Sequence, residues 1–174
     1  MRRERGFTLA ELLVALAMLA TILAGIFALQ RQGQDAYLMG AARVEAQQSA
    51  RLALDLMTRE LRSATSVTTV TGCNNGTDDI TFADQDGSTV RYRKNGASLE
   101  RTVGTTLTVL IAGVQSLTFT CYAADGTTTT ATAANVRSVV VALRTQPEDV
   151  STSTSYSPTR QQMIAESRVR LRNI

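Results

Sequence analysis

The stretch Arg5-Gly6-Phe7-Thr8-Leu9-Ala10-Glu11-Leu12-Leu13-Val14-Ala15-Leu16 places one carboxylate, Glu11, at the mouth of an apolar run that continues without a charge to Leu29. Leu12 to Leu29 are uncharged and mostly apolar. At about 1.5 Å per residue, a helix from Phe7 to Leu29 is long enough to cross a hydrocarbon core of about 30 Å. Ahead of it stand Arg2, Arg3 and Arg5, opposed only by Glu4. Basic residues flanking a span are retained in the cytoplasm, so this arrangement predicts a cytoplasmic N-terminus and translocation of everything after Leu29. A secretory signal would end its apolar region with a small-residue cleavage site after about 7 to 15 residues. The present run is longer and its helical pattern continues past Arg31, which disfavours a simple signal peptide.

From Phe7 to Ala64 there is no proline, and Ala, Leu, Gln, Arg and Glu dominate, which predicts one long helix of about 55 residues. In its second half Val44, Ala50, Leu54, Met57 and Leu61 recur at near-helical spacing, with Arg43, Glu45, Arg51, Asp55, Arg59, Glu60 and Arg62 on other faces. Half of the helix suits lipid; the other half is amphipathic and needs a partner surface. Gly25, Gly33 and Gly40 each cost roughly 1 kcal/mol relative to Ala, so bending or melting is expected near Gly33 and Gly40.

Beyond Ser66 the composition turns to Thr, Val, Gly and Asp. Asp79 to Ala83, Thr89 to Arg93 and Ser98 to Val103 read as strands joined by the turns Asp84-Gln-Asp-Gly-Ser and Lys94-Asn-Gly-Ala, an antiparallel meander. Leu107 to Ile111, Val114 to Tyr122, Val136 to Arg144 and Ser167 to Leu171 are further strands, the first two separated by Ala112-Gly113. Gly126 to Ala134 and Gln146 to Arg160 read as long exposed loops. The predicted fold class is α+β, a helix laid on an antiparallel sheet. Its segments are a leader 1–6, a membrane helix 7–30, an amphipathic continuation 31–65 and a β-rich head 66–174.

The chain has 18 basic and 15 acidic residues and a pI of about 9.2. Residues 1–6 hold three Arg and one Glu, so the rest carries 15 basic against 14 acidic residues. That nearly neutral body has no basic run of the kind that tracks a phosphate backbone, and nucleic acid is not an expected partner. The absence of histidine excludes a Ser-His-Asp triad and a His-ligated metal, and two cysteines cannot form a tetrathiolate site. Asp84-x-Asp-Gly resembles the start of a calcium loop, yet Asn95 stands where an EF-hand places its bidentate Glu. A hairpin turn is the better reading, and spacing alone gives Asp78, Asp79 and Asp125 no claim to another calcium site. No enzyme activity, cofactor or metal is expected.

Cys73 and Cys121 both fall in the translocated part, where an oxidising compartment favours a disulfide between them. The alternative is two buried thiols behaving as small apolar residues.

Cleavage between Gly6 and Phe7 would make Glu11 the fifth residue of the new chain, inside the first helical turn, where the helix dipole favours a carboxylate. The stretch Arg-Gly-Phe-Thr-Leu with its spaced Glu closely resembles the class III signal of type IV pilins and pseudopilins. The resemblance implies cleavage after Gly6 by a prepilin peptidase that also N-methylates Phe7, and packing of subunits helix by helix into a filament on an inner-membrane assembly platform. It also implies that Glu11 pairs with the terminal amine of a neighbouring subunit, relieving two charges buried in lipid. The helix-breaking proline that many major pilins carry midway is absent.

Downstream, Ala46 to Ala64, Gly113 to Tyr122, Val136 to Arg144 and Val169 to Asn173 are similar to minor pilins of the PilW type. They also resemble the J-type pseudopilin of type II secretion. The resemblance implies a structural subunit that helps start or cap a filament, with other minor and major pilins or pseudopilins as partners. Its location would be the inner membrane, with the head in the periplasm, and then the filament. A third reading makes the head an adhesive or DNA-capturing tip, supported only by exposed loops and by Arg160, Arg168, Arg170 and Arg172.

Overall fold

The computed structural model describes residues 6–69, 73, 76–147 and 162–172. The chain divides into two compact units, Met1–Gly40 and Ala41–Ile174, and helix α1 (Leu9–Ser63) runs through both.

In the first unit every described residue up to Gln34 is exposed. The one hydroxyl of the apolar run, on Thr21, is satisfied by donating to the Met18 carbonyl at 2.8 Å. Gly33 and Gly40 stay helical, contrary to the melting that their propensities predicted. Each is flanked by residues that favour helix, which offset a cost of about 1 kcal/mol.

In the second unit α1 buries Ala46, Ala50, Ala53, Met57 and Leu61. This stripe at spacings of three and four is narrower than the predicted one: Val44 faces solvent and Leu54 is half-buried. Alanines on the contact face let strands approach the helix axis closely.

The head holds two antiparallel sheets rather than the single sheet expected. The first follows chain order, β1 (Ser66–Thr69), β2 (Asp79–Ala83), β3 (Thr89–Asn95), β4 (Ser98–Val103) and β5 (Thr106–Ile111). The second is β6 (Val114–Tyr122), β7 (Ser138–Thr145) and β8 (Met163–Arg170). The division falls at Ala112-Gly113. Gly113 has φ 70°, a left-handed conformation that glycine adopts without steric cost, and its carbonyl accepts from Gln146 N–H at 2.8 Å. The chain thereby leaves β4 and begins a new ladder with β7.

Strand β1 was not foreseen, and β8 begins four residues earlier than expected because Met163 to Ser167 pair in register with Thr145 to Val141. Val136, predicted to open β7, lies instead just after a short 3-10 turn (Ala133–Asn135), fully buried. The Gly126 to Ala134 tract is less free than expected, because Thr130 donates to the Cys121 carbonyl at 3.0 Å and Ala123 to that of Thr128 at 2.9 Å. Most of the predicted Gln146 to Arg160 loop lies outside the described residues.

Alternating burial along β2, β3 and β7 turns one face of each sheet inward. Ile80, Phe82, Tyr92, Leu99, Phe119, Val139, Val141 and Leu143 join Met57 and Leu61 in one core. The segment before β2 docks on the outer edge of β6: Thr77 and Phe119 exchange backbone hydrogen bonds of 3.1 and 2.7 Å, and Cys121 N–H donates to the Cys73 carbonyl at 3.0 Å. A disulfide joins Cys73 to Cys121, with Cα atoms 5.3 Å apart. Gly76 has φ 86°, and a Cβ there would sit 2.5 Å from the Thr118 methyl group, so a side chain at this position would strain the backbone and displace Thr118.

Candidate functional site

The N-terminal segment is built from a helix start. Thr8 precedes the first helical residue, Leu9, and Glu11 is three residues on. Glu11 N–H donates to the Thr8 hydroxyl at 3.3 Å. In return, Thr8 N–H and the Thr8 hydroxyl donate to Glu11 Oε2 at 2.9 and 3.0 Å. This reciprocal arrangement is a capping box, which satisfies backbone donors that a helix start otherwise leaves unpaired. The Thr-x-x-Glu spacing is a helix-start signature that the sequence already carries. Gly6 and Phe7 lie outside the helix and exposed, Phe7 at 88%. Leu12, Leu13, Val14, Leu16, Met18, Leu19, Ile22, Ile26 and Phe27 cover the following turns with apolar surface. Among the described residues α1 is the helix long and apolar enough to cross a membrane.

Within the second unit, Glu60 ties α1 to the first sheet. Its carboxylate accepts from the Tyr92 hydroxyl at 2.6 Å and from Arg101 Nε and Nη2 at 3.1 and 2.7 Å. Burial, reinforced by the Glu60 charge, raises the Tyr92 phenol above its ordinary range. Tyr92 and Arg101 are cross-strand partners in the β3–β4 hairpin, whereas nothing in the sequence links Glu60 to them, and it becomes their neighbour only once helix and sheet pack.

Three of the aspartates that a calcium site could have used have partners of their own. Asp79 pairs with Arg91, Asp125 caps its own turn through Thr127 and Thr128, and Asp84 closes the β2–β3 hairpin, with Gly87 N–H donating to its carbonyl at 3.0 Å. Arg168, Arg170 and Arg172 gather with Arg62 and Arg137 around a groove of about 750 Å³. Arg160 lies outside the described residues.

Residues 1–27 match the family described as prokaryotic N-terminal methylation motif. The match covers the segment that holds Gly6, Phe7 and Glu11 and stops before the head. No curated protein matches the chain. The motif supports the type IV pilin or pseudopilin class and implies processing by a prepilin peptidase and association with pilin assembly machinery. An exposed apolar helix beginning inside that motif fits a membrane-anchored subunit of the same class.

Proposed function

We propose that this chain is a PilW-like minor pilin that helps initiate or cap a type IV pilus. The observation that carries the reading is the methylation motif on a capped, wholly exposed apolar helix whose continuation packs beneath a two-sheet head. In this account the prepilin peptidase cuts between Gly6 and Phe7 and methylates Phe7. The helix then waits in the inner membrane with its head in the periplasm. The Glu11 carboxylate, already at the helix start, pairs with the Phe7 amine of an adjoining subunit on entry into the filament. The role is structural, and no catalytic step is assigned to the chain.

A J-type pseudopilin of type II secretion is the second reading, since the same helix and head suit a short secretion filament. Deleting the gene separates the two, because loss of surface pili with secretion intact supports the first and loss of protein export with pili intact supports the second. In either case Glu11→Ala is expected to leave the chain processed and in the membrane while removing it from sheared filaments. Filament incorporation equal to wild type would refute the assigned role of Glu11.

A further inference from the structure

Five guanidinium groups from distant parts of the sequence meet at the end of the second unit where α1 stops. Arg62 comes from the last turn of α1, Arg137 precedes β7, Arg168 and Arg170 lie on the outward face of β8, and Arg172 follows it. Together they line the groove of about 750 Å³, and the other lining residues are Ala124 and Leu171. The head's three ion pairs among the described residues lie elsewhere, on Arg91, Arg93 and Arg101. Arg62, Arg170 and Arg172 are exposed and have no anionic partner among the described residues.

Two of the five are already held in place. Arg168 lies over the Tyr122 ring, 4.6 Å from its centroid, and donates to the Gly126 carbonyl and, at 3.3 and 3.1 Å, to the Ser138 hydroxyl. Arg137 donates to the carbonyls of Ala134 and Val136 at 2.8 and 2.9 Å. Among the described residues no carboxylate lines the groove. Asp125 shares an adjoining pocket with Arg137, Arg168 and Arg170, which leaves Arg62 and Arg172 outside it, Asp84 accepts from Ser63 and Gln85, and Glu166 shares the outward face of β8.

We propose that this groove binds phosphate-bearing linear polyanions, seating successive phosphates of one chain on Arg62, Arg170 and Arg172. Guanidinium forks match phosphate oxygens two at a time, and five of them exceed what a single oxyanion can engage. Leu171, the large apolar residue in the lining, is 4% exposed, so nothing there can enter an acyl layer, and a membrane surface is the poorer fit. Among the described residues no aromatic side chain is in the groove's lining, so it offers no ring for a base to stack on. Recognition is therefore of the phosphate chain and is indifferent to base sequence. This inference stands whether or not the leader is processed.

The test anchors the full chain in zwitterionic nanodiscs and follows anisotropy of a labelled 12-nucleotide oligothymidine at low salt. Sodium tripolyphosphate and vesicles containing anionic phospholipid serve as competitors. Binding of the oligonucleotide, displaced by tripolyphosphate, is expected, with a salt slope of about −2.1 for three seated phosphates. Arg170→Gln with Arg172→Gln should weaken it at least tenfold, whereas Arg51→Gln with Arg59→Gln, an equal charge change on exposed positions of α1, should stay within twofold. Tripolyphosphate binding without oligonucleotide binding would support the groove and name short free polyphosphate as its source. Equal losses in both double variants, no binding of either phosphate probe, or binding to the anionic vesicles alone would overturn the proposal.

Discussion

Breaking the Cys73–Cys121 bond should cost more stability than any other single covalent change in the head. The bond closes a loop of 48 residues, and the chain-entropy treatment of a loop that long gives about 4 kcal/mol at 25 °C. Both cysteines are fully buried, and the segment they anchor also brings the Thr77–Phe119 bridge to the edge of β6. The assay is urea unfolding of the full chain in nonionic detergent, read by pulse proteolysis of the head, for wild type, Cys73→Ala, Cys121→Ala and the double variant. With a denaturant slope of about 2 kcal/mol/M the midpoint should fall by roughly 2 M. Each single variant loses the bond, so each should lose nearly as much as the double variant. A midpoint shift below about 0.5 M at unchanged slope, or losses from the single variants that simply add, would refute the reasoning.

Two further outcomes follow from polar contacts of the head. Glu60→Ala leaves the buried Tyr92 hydroxyl without its acceptor and Arg101 without its pair, and should destabilise the head by about 2–3 kcal/mol, against about 1–2 kcal/mol for Tyr92→Phe, both by urea midpoint. The Thr128 hydroxyl, followed by the amides of Thr128 and Thr127, holds the Asp125 carboxyl down to about 2, below its ordinary 3.8. Because the folded value is depressed, the turn is fully stabilised above pH 3.8 and loses that stabilisation as pH falls through about 2. The Thr127 and Thr128 amide resonances should titrate there, and a midpoint at or above the ordinary value would refute the capping.

Long-range order in the chain was legible where one residue type settles a backbone choice. The uncharged run after Glu11 and the unbroken helix formers to Ala64 set α1 to within two residues at its start and one at its end, and Asp-Gly and Asn-Gly marked the β2–β3 and β3–β4 turns. The antiparallel pairing of β2, β3 and β4 as successive hairpins followed. Strand β1 escaped notice because Ser66-Val-Thr-Thr is too short to alternate convincingly and starts directly after the helix. The second sheet was hidden in the single glycine at 113, whose positive φ has no sequence signature distinct from any loop glycine. Ser167, Glu166 and Ala165 concealed the start of β8, because an edge strand with one face in water tolerates polar residues.

The N-terminal site was readable almost whole, since its residues are neighbours in sequence. The approach of Glu60 to Tyr92 and Arg101 and the meeting of Arg62 with Arg137 and Arg168 were not, because these partners lie 31 or more residues apart and only packing unites them.

The central claim, that this chain is a processed filament subunit, is tested most directly by the intact mass of the membrane-extracted protein made with and without its prepilin peptidase. With the peptidase the account predicts a chain beginning at Phe7 and carrying one extra methyl group, and without it a chain beginning at Met1. A chain still starting at Met1 in the presence of the active peptidase would contradict the account and leave Glu11 with no role beyond closing the first turn of α1.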